Sequence, residues 1–124
     1  MILGSMDCKL LIGDFESERH PDLAIYKNKP PRGDDFWFHW IPEIVVEVVS
    51  KRSATRDYVE KREEYLALGI KEYWIADGAK QQILILRRVR GKWSEQVLGV
   101  EDSYQSKLLP GFQLSGREAF PVGE

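Results

Sequence analysis

The run Ile44-Val45-Val46-Glu47-Val48-Val49 constrains this chain more than any other stretch. Apolar residues in unbroken sequence describe a strand covered on both faces, as in a sheet flanked by helices or loops. Side chains alternate along a strand, so Ile44, Val46 and Val48 face one way and Val45, Glu47 and Val49 the other. Glu47 therefore stands where the pattern calls for an apolar residue. An unpaired carboxylate taken out of water costs several kcal/mol. Glu47 must be protonated, paired with a cation, or bound to a metal.

The segment after this strand supplies a candidate partner. Residues 50–56 are polar and hold several cap candidates. Asp57 and Glu60 have the spacing of a capping box, with Thr55 an alternative N-cap. The pattern predicts a helix running to Leu68 and stopping at Gly69, a natural residue for the position after a helix. Tyr58, Lys61, Tyr65 and Leu68 fall on one helical face, which places Lys61 on the buried side. The charges of Arg56, Glu60, Arg62, Glu63 and Glu64 are expected mostly elsewhere. A further strand follows from Glu72 to Ala76, closed by Asp77-Gly78, so the two strands should be parallel around a crossover helix.

Upstream, Leu10-Leu11-Ile12 is a short strand ending at Gly13, and residues 15–20 read as a connection. Pro21-Asp22 opens a strand over Leu23-Ala24-Ile25-Tyr26. Residues 27–35 are a loop, and Phe36-Trp37-Phe38-His39-Trp40 packs four aromatics into five residues, either a flap over the core or a surface for a partner. Downstream, residues 81–90 and 92–100 form a hairpin around Gly91. Residues 101–107 are a polar connection, and Leu108, Leu109, Phe112 and Leu114 form a short apolar segment.

At 124 residues the chain is expected to be a single domain over 1–124. Gly4-Ser5 ahead of Met6 is the pattern of an added leader, so no structural expectation is placed on residues 1–6. Eighteen basic and 20 acidic side chains give a net charge of −2, so binding to a phosphate backbone needs a local patch or a bridging metal. Arg87, Arg88, Arg90 and Lys92 around the hairpin turn are a weak candidate for that patch, a solvated turn being the alternative. No apolar run approaches the ~20 residues that span a membrane, and no signal peptide is evident. The single cysteine, Cys8, excludes an internal disulfide and fits a reducing, cytoplasmic compartment.

Three side chains can converge. The 17-residue gap between Tyr26 and Ile44 permits the strand opened by Asp22 to pair antiparallel beside the Glu47 strand. The helix carrying Lys61 folds back across the same sheet. Acidic oxygens at the ends of neighbouring strands bind Mg²⁺ or Mn²⁺, and an adjacent lysine can position a water or stabilise a phosphate. The alternative is a structural Glu47–Lys61 ion pair, with Asp22 a turn residue.

The order Pro21-Asp22, Pro42-Glu43-Ile44-Val45-Val46-Glu47-Val48-Val49-Ser50, Lys61, Tyr65 and Gly69-Ile70-Lys71-Glu72-Tyr73-Trp74-Ile75-Ala76-Asp77 resembles the Uma2 family, formerly a domain of unknown function. That family belongs to the PD-(D/E)xK restriction-endonuclease-like superfamily. The resemblance implies an α/β (α+β) fold with a mixed sheet and a flanking helix, and a bacterial, metal-dependent nuclease site. It gives Asp22 and Glu47 the roles of metal-binding acids, Lys61 that of the lysine, and Tyr65 that of a supporting group. The usual motif lysine lies two residues after the acid, where this chain has Val49, so the resemblance implies that the lysine function has moved to the helix. Relatives usually carry a helix and more strands before the Pro-Asp element. This chain has only residues 1–20 there, and Glu16 and Glu18 are poor substitutes for the acid which that helix often supplies. The expectation is a shortened frame with one side of its sheet uncovered, suited to a homodimer. The functions compatible with these residues are a Mg²⁺-dependent or Mn²⁺-dependent DNA endonuclease, a catalytically silent nuclease-like module that binds protein or nucleic acid, and a structural fragment.

Overall fold

The computed structural model describes residues 2–4, 10–12, 17–19, 22–33, 40–49 and 55–120. Most of the aromatic run (36–39), His20, Cys8 and Glu16 lie outside these residues. The chain forms β1 (Ile2–Gly4), β2 (Leu10–Ile12), β3 (Ser17–Arg19), β4 (Leu23–Ile25), β5 (Ile44–Val49), α1 (Thr55–Leu68), β6 (Glu72–Asp77), β7 (Gln82–Val89), β8 (Lys92–Leu98), β9 (Ser103–Tyr104), β10 (Leu114–Ser115) and α2 (Gly116–Ala119). Six strands make one mixed sheet in the order β1-β4-β5-β6-β7-β8. The β5–β6 pair is parallel, as the crossover through α1 requires, and the other pairs are antiparallel. This is the α+β class expected from the sequence.

The unbroken apolar run of β5 is explained by its position. It is a central strand, with β4 on one side and β6 on the other, and each face meets a separate core. On one face Ala24, Tyr26, Val45, Tyr73, Ile75 and Leu86 pack with Tyr65 and Ile70, and Leu68 of α1 lies against them. Trp40 joins this side. Its ring stacks on Tyr26 with centroids 3.7 Å apart, and its indole N–H donates to the Asn28 carbonyl. On the other face Ile44, Trp74, Ile83, Ile85, Leu98 and Tyr104 pack with Leu108, Leu109, Leu114 and Phe120. The chain's own C-terminal segment thus covers that face along β5–β8, where an uncovered side was expected. Val48 and Leu23 remain exposed there.

Several local expectations are refined. Ile2–Gly4, within the segment given no expectation, pairs with β4. The connection at residues 15–20 contains β3, which pairs with β2, and the connection at residues 101–107 contains β9, which pairs with β10. Both strands are polar and short, so their identity comes from a partner and not from alternation. Arg90 and Gly91 both have positive φ (54° and 77°), as a two-residue type I′ hairpin turn requires. The helix already includes Thr55, so Asp57 lies within it instead of at its N-cap.

The C-terminal end of α1 is held in place. Gly69 adopts φ 102°, its N–H donates to Leu66, and the Ile70 N–H reaches the Tyr65 carbonyl at 3.1 Å, the hydrogen-bond pattern of a Schellman cap. Arg88 of β7 completes the cap. Its Nε donates to the Ile70 carbonyl at 3.1 Å, its Nη2 to the Leu66 carbonyl, and its guanidinium lies 5.7 Å from the Trp93 ring centroid. The Gly69→Ala variant is expected to lose about 1 kcal/mol, because alanine resists this backbone conformation. Chemical denaturation should report that loss; an unchanged midpoint would show that the cap does not constrain the helix.

Candidate active site

The site is built at the C-terminal end of β5. Asp22 precedes β4, and the antiparallel register of Leu23 with Val46 brings it beside Glu47. The Val48 N–H donates to Asp22 Oδ2 at 2.7 Å, which fixes the aspartate across the strand pair. Glu47 points to the α1 face, and it is 6% exposed. Two side chains one helical turn apart on α1 meet it there. Lys61 Nζ donates to Glu47 Oε2 at 3.1 Å, and the Tyr65 hydroxyl donates to Oε1 at 3.0 Å. Tyr65 is fully buried, with its ring edge-on to Tyr73 at a centroid distance of 4.9 Å, so it is held by packing before it holds the carboxylate.

Four of the residues singled out in the sequence are thereby brought together: Asp22, Glu47, Lys61 and Tyr65. Burial raises the Glu47 pKa above its ordinary value. The Lys61 charge and the hydrogen bonds from Lys61 and Tyr65 oppose that rise, and the negative charge of Asp22 adds to it. Burial and the neighbouring charges thus act on this carboxyl with opposite signs, a common condition at functional sites. Glu64, assigned to the outer face by helical phase, is also buried, so α1 is enclosed over more than one stripe.

A divalent cation has two candidate ligands here, Asp22 and Glu47. Among the described residues there is no cluster of three or more His, Cys, Asp or Glu side chains. Mg²⁺ is commonly held by one or two carboxylates with water completing its shell. The pair has that donor chemistry, and the repulsion between its charges is what a cation relieves.

The four basic residues of the hairpin do not form one patch. Arg87 and Arg88 point to opposite faces of the sheet, because neighbours on a strand alternate. Arg88 is occupied in capping α1. Arg90 and Lys92 are exposed at the turn. The sequence reading missed another buried carboxylate, Glu72, which accepts hydrogen bonds from Trp74 Nε1 (3.0 Å), the Tyr104 hydroxyl (2.9 Å) and Ser106 Oγ (2.6 Å). An acidic residue opening an otherwise apolar strand was the available signal.

Comparison with known proteins settles the family. The Uma2 family model, described as "Putative restriction endonuclease", matches residues 1–117. The chain belongs to the Uma2 family. Among curated proteins no match is found. A solved structure from Anabaena variabilis, described as a "putative nuclease belonging to DUF820", superposes with a TM-score of 0.74 at 14% identity. The alignment covers 96% of this chain and 66% of that one, so this Uma2 chain spans slightly under two thirds of the relative's length. At that identity the likeness establishes the fold. No helix among the described residues is long and apolar enough to cross a membrane.

The Lys61→Met variant leaves Glu47 without its cation and is expected to lose about 3 kcal/mol, whereas the Glu47→Gln, Lys61→Met double variant should lie near wild type or above it. Removing Lys61 also removes the largest influence lowering the Glu47 pKa, so that pKa rises further. A raised carboxyl pKa favours the folded state at low pH, and this contribution is lost as pH rises through the folded value. The deficit of Lys61→Met should therefore shrink on acidification. Thermal melts of the single and double variants across pH test this; equal deficits in both at every pH would show that the pair is not coupled.

Proposed function

We propose that this Uma2 protein is a metal-dependent endonuclease that hydrolyses DNA phosphodiester bonds. The observation that carries the reading is the convergence of Lys61 and Tyr65 on the Glu47 carboxylate, beside Asp22, at the end of two adjacent strands. Asp22 and Glu47 would hold Mg²⁺ or Mn²⁺. Such an ion, when bound, polarises a phosphoryl oxygen and lowers the pKa of a coordinated water. Lys61, paired with Glu47, would stabilise negative charge developing on a phosphate or steady the attacking water. Tyr65 orients the Glu47 carboxylate through its hydroxyl and fixes the pitch of the helix that presents Lys61. Val49 needs no amine, because the helix delivers one to the same carboxylate. Arg90 and Lys92 extend from the hairpin turn as candidate phosphate contacts.

A second reading is a catalytically silent nuclease-like module that binds nucleic acid or protein as a homodimer. It is favoured by the engagement of both Glu47 oxygens by protein donors. One experiment separates the two. Supercoiled plasmid incubated with the protein and Mg²⁺ or Mn²⁺ should be nicked, and Lys61→Ala or Glu47→Ala should lower the rate by about a hundredfold or more. Intact plasmid together with a salt-dependent gel shift would favour the silent module.

A further inference from the structure

A second cleft lies on the face of the sheet opposite Glu47. It has a volume of about 470 Å³ and sits where β6 begins and β7 ends. Glu72 opens β6 three positions before Ile75, the register partner of Glu47. At roughly 3.3 Å per residue this places the cleft about 10 Å along the strand from the Glu47 level, and on the other side of the sheet. It is therefore separate from the candidate active site.

The charge balance of the cleft is uneven. Lys71, Arg87, Arg88 and Lys107 line it, and Glu72 is the one carboxylate among its lining residues. Arg88 is committed to the cap of α1, which leaves the other three. Arg87 stands directly across from Glu72 in the β6–β7 register. Yet the Glu72 oxygens are taken by the neutral donors Trp74, Tyr104 and Ser106. The Arg87 Nε is buried and has no hydrogen-bond partner among the described residues. Buried donors are almost always paired, and a charged one left unpaired is costly. Three cations outside the helix cap thus face a space whose one lining acid already accepts three hydrogen bonds from neutral donors.

We infer that this cleft binds a small phosphomonoester through Arg87, Lys71 and Lys107. A phosphate dianion balances three cations better than a carboxylate does, and guanidinium geometry suits phosphate oxygens. The volume exceeds that of the phosphate group alone. Gln105 adds an amide that can donate or accept, and Val89 and Leu108 offer apolar surface for an organic moiety. Tyr104, whose pKa is pushed up to about 12 by burial and by Glu72, stays a neutral donor that holds the acid in place. The ligand class that fits is a mononucleotide-sized phosphate ester.

Calorimetric titration at constant ionic strength tests the assignment, with inorganic phosphate, deoxyadenosine monophosphate and acetate as probes. The nucleotide should saturate with a Kd of about 1 mM or tighter, phosphate more weakly, and acetate not detectably. Arg87→Gln and Lys107→Ala should each weaken nucleotide binding about tenfold. Lys107 is exposed, so its replacement leaves the sheet intact and keeps the test valid should Arg87→Gln fail to fold. The Glu47→Gln, Lys61→Met double variant should bind as wild type does, which separates this cleft from the candidate active site. Absence of saturation by the nucleotide, unchanged affinity in Lys107→Ala, or acetate binding equal to phosphate would each overturn the inference.

Discussion

The buried carboxylate of Glu47 sets conditions that the surrounding elements must meet. A central strand flanked on both sides cannot turn this side chain to water, and solvation is replaced by an ammonium on one oxygen and a phenol on the other. Both come from α1, so the helix must lie at one rotation and one height over β5. The Schellman cap at Gly69 and the Arg88 bracket fix that height from the far end. The edge-on packing of Tyr65 against Tyr73 fixes the rotation. The parallel β5–β6 pair then follows, because the chain re-enters the sheet immediately after the cap.

The two buried carboxylates of the sheet are treated differently. Glu72 receives an indole, a phenol and a serine hydroxyl, all neutral, in a setting built by the C-terminal segment. Glu47 receives a cation and stands beside another acid. Neutral donors satisfy a charge without creating a counter-charge, which suits a fixed anchor between β6 and the segment that covers it. A lysine and a neighbouring aspartate leave the charge responsive to whatever approaches. The same alternation of the strand separates Arg87 from Arg88, giving one to the C-terminal layer and the other to the end of α1.

Much of this was legible in the sequence, for identifiable reasons. The β5 run, the break at Gly69 and the phase of Lys61 and Tyr65 are strong local signals, and together they placed a cation over Glu47. The pairing of Asp22 beside Glu47 needed only a loop of suitable length. The Glu72 cluster was not legible, because Tyr104 and Ser106 lie more than thirty residues away, in a stretch whose polarity suggested a plain connection. The strands β3 and β9 were missed for the same reason: neither carries an apolar alternation, and each exists through its partner. The inward turn of Glu64 escaped a single-face reading of α1.

The sequence separations within the site bear on how it assembles. Lys61 and Tyr65 lie 14 and 18 residues from Glu47, inside one strand–helix unit, whereas Asp22 bonds across a separation of 26. Short-range contacts close at lower entropic cost than long-range ones. The groups that neutralise Glu47 lie within one strand–helix unit, and the second negative charge comes from a separate strand, β4. The strand–helix unit is thus compensated within itself, and the repulsion between the two acids is a property of the β4–β5 pairing alone.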